Sequence, residues 1–174
     1  SGVVWRGWDR ALERFVVVKI LGEKRSADPL IQQYAIPTLT RLIYINHPNI
    51  AQVFDCQMVD DRLVIVTQEI QGKPITAFAT EVPLSSEKLL DLAAQICEGL
   101  RSAHERDLVH GNLKPSNIIV NTSGRVYLTD FGLLTGMDDS SLNRNRVTAD
   151  SMRYQSPEQV QNNPPTIECD LFSL

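Results

Sequence analysis

Strands first and helices later: the order of apolar patterns along these 174 residues predicts an α+β fold, a small antiparallel sheet with one helix followed by a mainly helical second part. Three observations lead there. The first third is rich in β-branched and aromatic runs separated by turn residues. From Ser85 the apolar spacing changes to intervals of three and four. Composition, 43% hydrophobic and 22% charged, is that of a core-forming chain and excludes wholesale disorder, collagen-like repeats and a disulfide scaffold. A domain of this length hides about 70% of its unfolded surface, so a sizeable core is available.

Val3-Val4-Trp5 and the run 15–21 flank Asp9-Arg10, which predicts two strands joined by a short turn. Asp28-Pro29 predicts a helix cap with proline at the first helical position. Residues 30–45 have helical composition, but Pro37 has no N–H to donate, so a break or restart is expected near the middle. After His47-Pro48-Asn49, strands are expected over residues 50–56 and 63–67, around the Asp60-Asp61 turn.

Leu89, Ala93, Ile96, Leu100 and Ala103 then form the apolar stripe of an amphipathic helix with Ser85 as its cap, and Cys97 is expected on that face as a small hydrophobe. Short apolar pieces follow at 108–109, 118–120 and 126–128, divided by the polar loop 111–117 and a turn at 121–124. Residues 133–163 are mostly polar without a clean period, a length of loop that is usually functional or disordered.

With 17 Lys+Arg against 21 Asp+Glu, the formal charge of −4 gives no reason to expect a nucleic-acid or acidic-membrane binder. No apolar run is long enough for a membrane span, and Ser1-Gly2-Val3 is no secretory signal. Cys56, Cys97 and Cys169 are odd in number and widely spaced, which fits a reducing compartment rather than disulfides or zinc. His47, His104 and His110 lack metal-ligand spacing.

The chemistry sits in the short loops. His110-Gly111-Asn112-Leu113-Lys114-Pro115-Ser116-Asn117, then Asp130-Phe131-Gly132 and Ser156-Pro157-Glu158, follow the protein-kinase signature set in content and order. Upstream, Val16-Val17-Val18-Lys19 resembles that set's lysine-bearing strand and Gly2-Val3-Val4-Trp5 the tail of its glycine-rich loop. Each motif alone is weak; five in order, each on the strand or loop it requires, are specific. The chain resembles the serine/threonine protein-kinase family over essentially its whole length, in the bacterial style of Trp8-Asp9-Arg10-Ala11-Leu12 and of 153–159.

The resemblance implies a kinase-like two-lobe fold: residues 1–71 as the smaller lobe, starting within the glycine-rich loop, and 72–174 as part of the helical lobe, through the activation segment to the start of its supporting helix. It also implies ATP and Mg²⁺ in the cleft between them. Gly2 would belong to the phosphate loop and Lys19 would pair with the α/β-phosphates. Lys114 would steady the transferring phosphate, and Asn117 and Asp130 would offer Mg²⁺ its hard oxygen ligands. Val4, Val17 and Ile119 match the positions that sandwich adenine, Gln68, Glu69 and Ile70 the hinge that reads its edge, and Thr67 the residue whose small size leaves a back pocket open.

Departures from the pattern matter as much. Asn112 stands where the family has the aspartate that accepts the substrate hydroxyl's proton, assistance worth about 10²–10⁴-fold. Gly111 removes the arginine that receives activation-loop phosphate, and Thr38 stands where the lysine's helix glutamate is expected, with no Glu between Lys24 and Gln68. Val17 replaces the usual alanine over adenine, an overpacking that costs about 1–3 kcal/mol.

Three functions follow as alternatives: a pseudokinase-like domain that binds Mg-ATP weakly, with transfer lost or strongly impaired and a signalling or scaffolding role; a low-rate active serine/threonine kinase; and a nucleotide-free interaction module. A protein partner or protein substrate in the cytoplasm is expected, with no nucleic acid and no membrane contact by this segment; an anchor in flanking sequence stays open. Ser140, Ser141, Thr148 and Ser151 sit where kinases carry phosphosites or position substrate, near Arg144 and Arg146. Gly2 reads as the last glycine of the phosphate loop and 170–174 as the first turn of the supporting helix, so the piece is expected to expose apolar surface, to be unstable in isolation and to leave Glu158 without its arginine.

Overall fold

The computed structural model describes residues 2–133, 153–161 and 163–174. Its first part is a four-stranded antiparallel sheet in the order β1-β2-β4-β3, from β1 (Val3–Asp9), β2 (Arg14–Ile20), β3 (Val53–Val59) and β4 (Arg62–Gln68). The first hairpin turns where predicted: Asp9 Oδ1 accepts from the N–H groups of Ala11 and Leu12 at 3.1 Å. In register, Val4 faces Lys19, Arg6 faces Val17 and Trp8 faces Phe15, while on the other side Val17 faces Thr67 and Lys19 faces Ile65. Side chains alternate along a strand and cross-strand partners share a face, so these residues occupy one face of the sheet.

The expected strand at 50–56 forms three residues later. Ile50 bridges instead to Leu128, Ala51 N–H donates to Leu128 O at 2.9 Å, and the register of β3 slips between Val53 and Asp55. The second sheet claims these residues first. A short α1 (Glu23–Ser26) precedes the main helix. Asp28 starts that helix, accepting from Leu30 N–H at 2.8 Å. The break or restart expected near Pro37 takes the form of a restart. A π-helical turn at Ile31–Ala35 gives way to α2 (Ile36–Leu42), and the change of helix type places Pro37, which has no N–H to donate, in the first turn of α2.

The second part carries a three-stranded sheet, β5 (Gly72–Pro74), β6 (Ile118–Asn121) and β7 (Val126–Leu128), with α3 (Ile75–Glu81) and α4 (Ser86–His104). A 3₁₀ turn at Pro115–Asn117, α5 (Pro157–Val160) and α6 (Ile167–Ser173) complete the described elements. Ser85 caps α4 as predicted, accepting from Lys88 N–H at 3.2 Å. The buried stripe is rotated from the expected one: Leu92, Ile96, Gly99, Leu100 and Ala103 face inward, whereas Leu89, Ala93 and Cys97 are exposed. Gln95 sets that rotation by accepting from Val126 N–H at 2.9 Å and donating to Gly124 O at 3.2 Å. Gly99 lets the helix approach closely; a Cβ there would stand 2.9 Å from Leu128 and 3.1 Å from Asn49 O. One apolar core runs from Leu39, Leu42 and Ile65 through Leu100 to Val126 and Leu128. Leu89, Leu90, Leu171 and Phe172 lie outside it, as the expected exposed apolar surface.

Candidate active site

Lys19 and Asp130, 111 positions apart, form an ion pair, the lysine from β2 and the aspartate from the loop after β7. Asp130 has a positive φ of 65°, a conformation costly for a side chain with a Cβ. Gly132 follows at φ 70°, and a Cβ there would sit 3.3 Å from Ala35 Cα and 3.4 Å from Thr38 Cβ. The loop thus presses against the helix at the position where the lysine's acidic partner was expected. Thr38 meets Gly132 there, and Asp130 is the acid that pairs with Lys19. Ile65 and Thr67, on the same sheet face as Lys19, line a small apolar cavity behind the pair with Leu39, Leu42 and Phe131.

The loop 110–117 hangs from one buried carboxylate. Asp170 of α6, 1% exposed, accepts from His110 N–H and Gly111 N–H, both at 2.8 Å, and its Oδ2 also lies 2.8 Å from His104 Nε2. Gly111 has φ 68°, and its carbonyl accepts from Gln159 at 2.7 Å. His110 is fully buried, its ring 4.3 Å from that of Phe131, and its Nδ1 accepts from Asn112 N–H at 3.3 Å. Its Nε2 has no partner among the described residues. Burial pushes the His110 pKa down against the opposing pull of Asp170 and Asp130, which favours the neutral ring.

Asn112 is buried, and its carbonyl accepts from Asn117 Nδ2 at 2.8 Å. That bond commits the Asn117 amide nitrogen, while its Oδ1 receives a long 3.4 Å contact from Ser116 Oγ. Asn117 O in turn accepts from Thr129 N–H at 2.9 Å, which ties the loop to the residue before Asp130. Asn117 and Asp130 therefore offer one amide and one carboxylate oxygen, a hard donor set that fits Mg²⁺, which takes one or two protein ligands and fills the rest with phosphate and water. Lys114, half-buried, starts the 3₁₀ turn that carries Asn117.

The remaining predicted residues lie as follows. Gly2 sits at the mouth of the first hairpin, where a Cβ would stand 3.0 Å from Ile20 O. Val4 and Val17 share the face of Lys19, and Ile119 points away from the core that Ile118 and Val120 fill. Gln68 is tied on both sides to Gln52: its N–H donates to Gln52 O at 2.8 Å and its Oε1 accepts from Gln52 N–H at 3.3 Å. Gln52 then caps the end of α2 through Ile43 O at 3.0 Å. Ile70 is half-buried beside Glu69.

Sequence reasoning missed Arg6, which binds both carboxylate oxygens of Glu69, at 2.6 and 3.1 Å. The signal was its even spacing from Val4 on one strand. It also missed the partner of Glu158, which accepts from Cys169 Sγ at 3.1 Å; that bond holds the carboxyl below the usual carboxylate range. Ser140, Ser141, Thr148 and Ser151, with Arg144 and Arg146, lie outside the described residues.

The family model for the protein kinase domain matches residues 1–174. Serine/threonine-protein kinase PrkC of Bacillus subtilis is 28% identical over 172 residues, covering 98% of this chain and 26% of the relative. Serine/threonine-protein kinase PknA of Mycobacterium tuberculosis is 31% identical over 180 residues, covering 99% of this chain and 42% of the relative. Among solved structures, the Mycobacterium tuberculosis PknI kinase domain superposes with a TM-score of 0.74 at 20% identity, over 98% of this chain and 64% of that one. The chain thus spans less than half the length of these curated relatives. Among the described residues no helix is long and apolar enough to cross a membrane. With the α+β architecture and the ordered motifs, the match over the full sequence means that this chain belongs to the protein kinase domain family, in its bacterial serine/threonine branch.

Proposed function

We propose that this is a pseudokinase-like domain of the cytoplasm that binds Mg-ATP weakly, transfers phosphate poorly or not at all, and acts on a protein partner through its conformation. Residues 1–71 serve as the smaller lobe and 72–174 as part of the larger. The observation that carries the reading is the Lys19–Asp130 pair beside an amide at the base position. With Thr38 in place of an acid, the two groups that would receive phosphate and metal neutralise each other. Nucleotide binding is then an exchange. Lys19 trades Asp130 for phosphate oxygens while Asp130 and Asn117 take Mg²⁺, so every charge keeps a partner, but the gain is only the difference between the two arrangements. Val17 reduces it further.

Bound Mg-ATP would supply the phosphoryl group and the charge that draws it in line. Lys114 would hold that group, and Gly2 would let the backbone approach it. What the base position lacks is proton removal: the Asn112 amide accepts no proton near neutral pH. A low-rate active kinase is the second reading, favoured by the retention of Lys114, Asn117 and Asp130 in a connected loop.

Titrating ATP with and without Mg²⁺ tests both. A ligand at 100 times its Kd stabilises by about 2.7 kcal/mol, which a melting curve resolves. The expected result is Mg²⁺-dependent stabilisation without γ-phosphate transfer, and a rise in transfer on Asn112→Asp. Robust transfer by the unmodified protein, abolished by Asp130→Ala, would overturn the first reading in favour of the second. No stabilisation by either titrant would overturn both.

A further inference from the structure

We propose that Arg6 determines what the base slot admits: held between Glu69 and Phe15, it straps the first strand to the hinge and keeps the slot narrow. This rests on the nucleotide reading above but on different residues. Arg6 lies directly opposite Val17 in the ladder and on the same face as Val17 and Lys19. Its Nε and Nη2 reach the two oxygens of Glu69 at 2.6 and 3.1 Å, and its guanidinium carbon stands 3.5 Å from the centroid of the Phe15 ring. Trp8 braces Phe15 from the side, edge-on, at 4.7 Å.

A planar fork that meets both oxygens of one carboxylate fixes distance and orientation together, which a single lysine contact does not. The aromatic face below fixes the plane of the fork. Strand and hinge are therefore held at one separation at the end of the slot remote from Lys19. Val17 puts two more methyl groups into the roof than the alanine that the resemblance predicts, so a slight parting of sheet and hinge would ease entry of a flat base, and the strap opposes that movement. Releasing it should tighten binding.

The alternative role, plain electrostatic attraction of an anionic nucleotide, predicts the opposite sign and is separable by ligand charge. Calorimetric titration of ATP and of uncharged adenosine into the full chain, as wild type, R6A, R6K, E69Q and the R6A/E69Q double variant, distinguishes them. R6A and E69Q should each tighten both ligands by the same factor, about three- to tenfold for a partly exposed ion pair with its ring contact. The double variant should gain no more than either single one, because both remove the same strap. R6K, which keeps charge without the fork, should tighten both ligands by a smaller factor. Affinities within about twofold of wild type across the series, or an R6A that weakens ATP and leaves adenosine unchanged, overturns the strap while leaving the nucleotide reading intact. Wild type and variants that bind neither ligand overturn both.

Discussion

Replacing Asp170 by asparagine perturbs the catalytic-type loop without changing its volume. Asp170 is 1% exposed and accepts from two backbone donors, His110 N–H on one oxygen and Gly111 N–H on the other, each at 2.8 Å. Hydrogen bonds to a charged group contribute about 1.5–3 kcal/mol each, and a buried donor left unsatisfied costs about 1–3 kcal/mol. Asparagine keeps one oxygen, so one bond survives in weaker, neutral form, while its NH₂ is set against the other N–H. The contact with His104 at 2.8 Å loses its charge as well. These losses share neighbours and do not add fully, which puts the expected cost at about 3–5 kcal/mol, a large share of the roughly 5–15 kcal/mol typical of a whole domain. At about 2–4 °C per kcal/mol for a chain of this size, the Tm should fall by roughly 6–20 °C. Urea unfolding of wild type and D170N measures the difference, and faster hydrogen exchange at the amides of 110 and 111 locates it. A loss below about 1 kcal/mol, or exchange unchanged at those two amides, would refute the view that one carboxylate suspends the loop.

Three further outcomes are expected. Burial pushes the His110 pKa below its ordinary 6.5, so the unfolded chain binds the extra proton between the lowered value and 6.5; stability from this group is complete above about 6.5 and lost as pH falls. The urea midpoints of H110F should therefore change less than those of wild type between about pH 7 and about pH 5, and an equal change in both would count against a neutral buried ring. Thiol labelling at neutral pH should modify exposed Cys97 first, because burial raises the Cys56 thiol to about 11 and Cys169 is buried; mass spectrometry after one equivalent of maleimide checks the order, and labelling of Cys56 or Cys169 at the same rate would contradict it. Leu90, 71% exposed, Leu171, 58% exposed, and Phe172, 56% exposed, should bind a hydrophobic dye and lower cooperativity; a sharp high-temperature melt with no dye binding would show that this surface carries no such liability.

Motif order made the candidate site legible because the motifs of the family constrain residue type and spacing together. Lys19, Asn117 and Asp130 could be named from the sequence, and the fold brings Lys19 to Asp130 across 111 positions. Local propensity also placed Ser85 and Asp28 at their helix starts, since a cap depends on atoms within three residues. Long-range competition was out of reach. Residues 50 and 51 have strand character, but Leu128 pairs with them and pushes β3 three positions on. Cys97 lies beside an apolar stripe, but Gln95 turns the helix so that Leu92 faces inward.

The same distinction explains the two residues whose partners changed. Counting back from His47 locates Thr38 but cannot say which acid serves Lys19 in its place; that depends on Asp130 adopting a positive φ of 65° beside the helix. Gly132 eases the approach, because its φ of 70° strains any other side chain and a Cβ there would press tightly on Ala35 and Thr38, at 3.3 and 3.4 Å. With Thr38 rather than a glutamate on α2, Lys19 and Asp130 pair with each other. A Thr38→Glu variant should compete for Lys19, release Asp130 toward metal and raise the Mg²⁺ dependence of ATP binding. If ATP titrations with and without Mg²⁺ are the same in T38E as in wild type, the Lys19–Asp130 pair is not what limits the site.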